Sequence, residues 1–90
     1  MHGKSSKLLV LDDRFIFKTL PKTFDVGHYH SWKILLKHDS VLIPTAINEN
    51  EIIMAFRHKK LKLYGLQFHP ESILTEYGKN ILINWLKICS

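Results

Sequence analysis

The chain has one cysteine, Cys89, so no internal disulfide can staple it and a reducing, cytoplasmic setting is the expectation. It is poor in glycine and proline, with four and three, and shows no repeat, linker or low-complexity tract. No apolar run approaches the roughly 18–20 residues of a membrane-spanning helix, so no membrane partner is expected. The opening MHGKSSKLLVLDD carries only a four-residue apolar run and no small-residue cleavage site, and does not read as a signal peptide.

What is present is globular in character. Hydrophobic residues make up 46% and charged ones 23%, too apolar for disorder and too irregular for a coiled coil. Ninety residues allow one small domain or part of a larger one, burying about 60–65% of the unfolded surface. The formal charge of +5 is compatible with an anionic partner, and the densest basic stretch is Arg57-His58-Lys59-Lys60-Leu61-Lys62. That stretch has no interleaved aromatics and no nucleic-acid fold signature. A solvated turn between two strands is the simpler reading, and no nucleic acid is expected.

Along the chain the pattern gives strands and then a helix. Lys7–Leu11 reads as a short strand closed by Asp12-Asp13, and the alternation of Phe15 and Phe17 around Ile16 as a second. Phe24–Leu36 is rich in β-branched and aromatic residues, with Gly27 inside it marking a bulge or a close backbone approach. Val41–Ile47 reads as a strand interrupted by Pro44, and Asn48-Glu49-Asn50-Glu51 as a hairpin turn into Ile52–Arg57. Leu63–Phe68 is apolar or small at nearly every position, as burial on both faces of an α/β sheet requires, which predicts a central strand. From Thr75 the period becomes helical: Tyr77, Ile81, Leu82, Trp85, Leu86 and Cys89 form the predicted packed stripe, with Thr75 as N-cap and Glu76 in the first turn.

His69 and Glu71 stand two apart where the last strand ends, so their side chains project together while Pro70 closes the pairing. The carboxyl-terminal edge of an α/β sheet is where ligands bind, and an imidazole held by a carboxylate is a general base. Spacing alone leaves a second reading open: a histidine packed near a helix start, with Glu71 as a cap or surface partner.

FHPESILT, with MHGKSS at the start and YHS between, resembles the C-terminal half of a class I glutamine amidotransferase, in particular the glutaminase subunit of anthranilate synthase and aminodeoxychorismate synthase. The resemblance covers essentially the whole chain in order. It implies a flavodoxin-like α/β fold, of which residues 1–90 would be a partial domain. It further implies that His69 is the base of a Cys-His-Glu triad that hydrolyses L-glutamine, with Glu71 orienting it. Ser31 and Trp32 would hold the substrate through their backbone. The implied partner is a chorismate-using synthase subunit that receives ammonia, for tryptophan or folate biosynthesis. No cofactor is implied.

Two departures stand beside it. Where the family commonly has Arg-Tyr-His-Ser-Leu, this chain has His28-Tyr29-His30-Ser31-Trp32. The family's Gly-x-Cys-x-Gly-x-Gln nucleophile segment does not occur in these residues, and its oxyanion hole, a contribution of several kcal/mol, goes with it. The 90 residues alone are therefore expected to be inactive, as a fragment, a gene remnant or half of a split subunit with a separate N-terminal half as partner. Cys89 does not substitute: a helix from Thr75 would carry it about 20 Å away from His69, and it reads as a small apolar residue of the packed face. The contrasting expectation is a non-catalytic module that docks a synthase subunit. HGKSS lacks the first glycine of a P-loop. YHSWK and PESIL lack the glycines of a serine-nucleophile elbow. His28, His30, His38 and His58 define no complete zinc ligand set, so no metal is expected.

Overall fold

A computed structural model describes residues 4–28, 33–36 and 40–89. Strands β1 (Lys4–Val10), β2 (Thr23–His28), β3 (Leu42–Asn48), β4 (Ile53–His58) and β5 (Tyr64–Leu66) precede one helix, α1 (Gly78–Cys89). The strands form one sheet in the order β2-β1-β3-β4-β5, and each pairing is antiparallel. The α/β class expected from the sequence is thus observed.

Alternation positions the core. Phe24 and Val26 of β2, Leu8 and Val10 of β1, and Ala46, Met54 and Ala55 of β3 and β4 are buried together with Ile16, Phe17, Phe68 and Ile81. Two adjacent residues, Ile16 and Phe17, are both buried, which a strand against one core cannot achieve. Phe15–Phe17 is a short 3-10 turn instead, and the second strand expected there does not exist. Phe15 itself takes φ 59°, and its ring lies under the guanidinium groups of Arg14 and Arg57, 5.1 and 4.9 Å from its centroid.

The third expected strand is shorter than its composition suggested. β2 ends at His28, and residues 33–36 have no regular structure. Pro44 does not interrupt β3: the register against β4 shifts between Pro44 and Ala46, so the proline sits at a bulge, where a missing N–H is tolerated. The hairpin at Asn48–Glu51 forms as expected. Asn48 Oδ1 accepts from the amides of Asn50 and Ile52, and Glu51 takes φ 61°. The basic turn also forms, between β4 and β5. His58 Nδ1 accepts from the amides of Lys60 and Leu61, while Arg57 turns inward to Asp12 at 3.3 Å.

The last strand differs most. Only Tyr64–Leu66 pair, on one side, with β4, so among the described residues β5 is outermost rather than central. Leu63 is 58% exposed. The apolar run packs on one face, and only Phe68 is buried.

The helix also starts later and faces differently from the expectation. It begins at Gly78, after Tyr77 at φ 57°. Ile81 is buried, with Trp85 and Ile88 packed beside the core, and Asn84 Nδ2 donates to the carbonyls of Ile16 and Lys18 at 3.0 Å each. Leu82, Leu86 and Cys89 are exposed. Successive helical residues are about 100° apart, so a register one position along turns those three outward, and the 3-10 turn selects the Ile81-Trp85-Ile88 face. Among the described residues no helix is long and apolar enough to cross a membrane.

Candidate active site

The outer edge of β2 positions the site. Asp25 and Gly27 point their backbone groups away from β1, and the segment after β5 returns to bond them. His69 N donates to Gly27 O at 2.9 Å and Glu76 N to Asp25 O at 2.8 Å. Gly27 N donates to Thr75 Oγ1 and Asp25 N to Glu76 Oε1, both at 2.8 Å. Residues 69–76 therefore lie along the free edge of β2, joining the two ends of the sheet order into a curl. Thr75 and Glu76, expected to cap a helix, serve this closure instead, which explains why α1 begins three residues after Thr75.

Close approach here requires glycine at two places. A Cβ on Gly27 would fall 2.7 Å from Leu74 Cβ and 2.8 Å from Ser72 Oγ. The close backbone approach read from the sequence is found. A Cβ on Gly78 would fall 1.8 Å from Pro70 O, so the first turn of α1 abuts the His-Pro-Glu turn.

Within that frame His69 Nδ1 lies 3.1 Å from Glu71 Oε1, and both side chains reach solvent. The two groups expected to act together are thus side by side. A carboxylate only accepts, so Nδ1 carries the proton in this contact, and the lone pair of the neutral ring is on Nε2. That arrangement fits a general base whose ring is oriented by an acid. Ser31 and Trp32 lie outside the described residues, as do Tyr29, His30 and His38. The strand that leads to them ends at His28, one residue beyond the Gly27 carbonyl that holds His69.

The remaining sequence candidates fall elsewhere. Cys89 is exposed at the far end of α1. Since Gly78 abuts Pro70 and the 12-residue helix is about 18 Å long, the thiol is remote from His69, though not through packing on the core. His28 is buried, with Nε2 2.5 Å from Ser6 Oγ, and His58 caps its turn. No group of three or more His, Cys, Asp or Glu among the described residues could hold a metal. A cleft of about 650 Å³ lined by Arg14, Phe15, Lys18, Asn84, Lys87 and Ile88 flanks the C-terminal turns of α1, away from His69. Sequence reasoning missed Thr75 as part of this site, because a threonine before a helical stripe signals a cap.

Comparison with known proteins agrees with the geometry. The model of the family "Glutamine amidotransferase class-I" matches residues 1–89, and the chain belongs to that family. It is 49% identical over 89 residues to anthranilate synthase component 2 of Pyropia yezoensis, covering 97% of this chain and 47% of the relative. It is 44% identical over 90 residues to anthranilate synthase component 2 of Mycobacterium tuberculosis, covering 99% of this chain and 38% of that protein. A crystal structure assigned to GMP synthase of Thermoplasma acidophilum superposes with a TM-score of 0.85 at 31% identity, covering 98% of this chain and 45% of the other. The chain thus spans less than half the length of each.

Proposed function

We propose that these residues supply the acid–base part of a glutamine-hydrolysing site, of the kind that serves an anthranilate synthase. The observation that carries this reading is the His69 Nδ1 to Glu71 Oε1 contact at 3.1 Å in a chain that belongs to the class I amidotransferases. The names of its relatives, anthranilate synthase component 2, support tryptophan biosynthesis as the setting, with ammonia passing to a chorismate-using synthase subunit.

In this reading a cysteine thiol presented by polypeptide outside these 90 residues gives its proton to His69 Nε2. The thiolate adds to the amide carbon of L-glutamine, and the protonated His69 returns the proton to the departing nitrogen, releasing ammonia and leaving a thioester. His69 then takes a proton from water, whose oxygen cleaves the thioester to glutamate and free thiol. Glu71 keeps Nδ1 protonated and favours the imidazolium in both steps. The segment that follows β2, with Ser31 and Trp32, would hold the glutamine.

The test is complementation. The chain is mixed with the separately produced nucleophile-bearing half of an anthranilate synthase component 2, and glutamate release is measured. Activity should appear and fall about 10²–10⁴-fold in His69→Ala. Glutamate release unaffected by His69→Ala would reject the assignment. Binding of a synthase subunit with no glutamate release from any mixture would favour a docking module instead.

A further inference from the structure

Resting on His69 as the base, we propose that Thr75 is the positioning residue that holds it against Glu71. Thr75 is buried, and its hydroxyl makes two bonds at once: Oγ1 donates to His69 O at 2.6 Å and accepts from Gly27 N at 2.8 Å. A hydroxyl has one proton to give and lone pairs to accept with, so Thr75 bridges the edge of β2 and the carbonyl of His69. The same histidine donates its own amide to Gly27 O, and its carbonyl also accepts from Ser72 N at 3.1 Å. Both backbone polar groups of His69 are therefore fixed, and Thr75 is the one side chain among these partners.

The bridge is needed because the chain turns away from β2 at Pro70. A regular ladder would offer Gly27 N a backbone carbonyl; here the threonine hydroxyl takes that place six residues after His69. Exposed ion pairs between mobile side chains contribute little, since ordering them costs conformational entropy. The 3.1 Å contact of two solvent-reaching side chains is maintained because the backbone already sets where each begins. Thr75 fixes the His69 end, and the approach of Gly78 to Pro70 O supports the turn between the two.

The test is NMR of the 90-residue chain with labelled histidine. The native chain should show a bonded Nδ1–H proton on His69. Thr75→Val, which keeps the shape and removes the hydroxyl, should lose that proton and give a mixture of ring tautomers, and Thr75→Ser should restore it. A valine variant that unfolds at lower temperature yet keeps the native His69 pattern would mean the hydroxyl serves stability alone, overturning the proposal. If the valine variant does not fold, the native chain decides: the Thr75 hydroxyl proton must be slowly exchanging and close to the Gly27 amide proton, and its absence overturns the bridge. These readouts do not depend on glutamine hydrolysis. An intact His69 pattern, alongside complemented activity that survives His69→Ala, would reject the glutaminase reading without touching the role of Thr75.

Discussion

Replacing Gly78 by alanine sets two effects of opposite sign against each other. In an exposed helix interior the change stabilises by about 1 kcal/mol, because glycine loses more backbone entropy. Gly78 is buried at the start of α1, and the added Cβ would stand 1.8 Å from the carbonyl oxygen of Pro70 and 2.8 Å from its carbon. Reaching an ordinary contact of 3.4 Å requires a displacement of 3.4 − 1.8 = 1.6 Å. The obstructing atoms are backbone, tied on one side to His69 and on the other to Glu71, so no side chain can swing aside. Overpacking of this kind costs about 1–3 kcal/mol, and the first helical position returns less than the full propensity gain. We expect Gly78→Ala to destabilise by about 1–2 kcal/mol, at roughly 4–8 °C of melting temperature per kcal/mol for a chain of this size. Urea unfolding followed by circular dichroism measures it. A variant as stable as the native chain, or more so, would show that the helix does not press on the Pro70 turn and would remove that support from the site.

Three further outcomes rest on the same contacts. Asp12 has its carboxyl held below its ordinary value, first by the hydrogen bond from Arg14 and further by Arg57, against the opposing effect of burial. A depressed folded-state value means that its stabilisation is present above the unfolded value and is lost as pH falls from about 4 downward. Asp12→Asn should thus flatten the acid limb of a stability-against-pH curve and lower neutral stability by about 1–2 kcal/mol; an unchanged limb would assign the acid dependence to other groups. Phe17→Ala removes a fully buried ring beside Phe24 and should cost about 3–5 kcal/mol, enough to unfold much of so small a domain, visible as lost near-ultraviolet dichroism; a retained signal would show that the ring is not central to the core. In the complemented enzyme Glu71→Gln should lower glutamate release less than His69→Ala does, since a ring that has lost its orienting carboxylate still takes a proton; equal losses would put Glu71 in direct contact with the reacting atoms.

The sequence showed most where a local rule acts alone. Asn48-Glu49-Asn50-Glu51 is a turn because an Asn side chain can bond the amides two and four residues on, whatever surrounds it. His69 and Glu71 face one way because Pro70 separates them by one residue. Legibility failed where tertiary partners choose between equal local options. Phe15-Ile16-Phe17 is too short for alternation to separate a strand from a 3-10 turn, and the burial of adjacent Ile16 and Phe17 decides it. The helical stripe was ambiguous because Leu82, Ile83 and Leu86 are as apolar as Ile81, Trp85 and Ile88, so the packed face is set by the 3-10 turn and by Asn84. Thr75 before a helix carries the signature of a cap, and only the position of Gly27, forty-eight residues earlier, shows that the hydroxyl is used elsewhere. The apolar run at 63–68 could not reveal that three residues pair on one side.

These differences share one physical cause, which bears on how the site fails. The sheet order ends at β2 and β5, and residues 69–76 join those ends by lying along β2. The bonds that close the curl are the bonds that orient His69: Gly27 with His69 and Thr75, Asp25 with Glu76. A closure made of a few edge hydrogen bonds and two glycine contacts, with His69 and Glu71 reaching solvent, opens at lower cost than the core formed by Leu8, Phe17, Val26 and Met54, because local openings follow the density of buried apolar contacts. The amides of His69 and Glu76 should therefore exchange with solvent faster than those of Val26 and Met54. Weakening the closure should disorder the candidate base while the sheet remains folded, so loss of His69 geometry precedes loss of fold. Equal exchange rates across the two sets would mean that closure and core unfold as one unit, and the site would then fail only when the whole domain does.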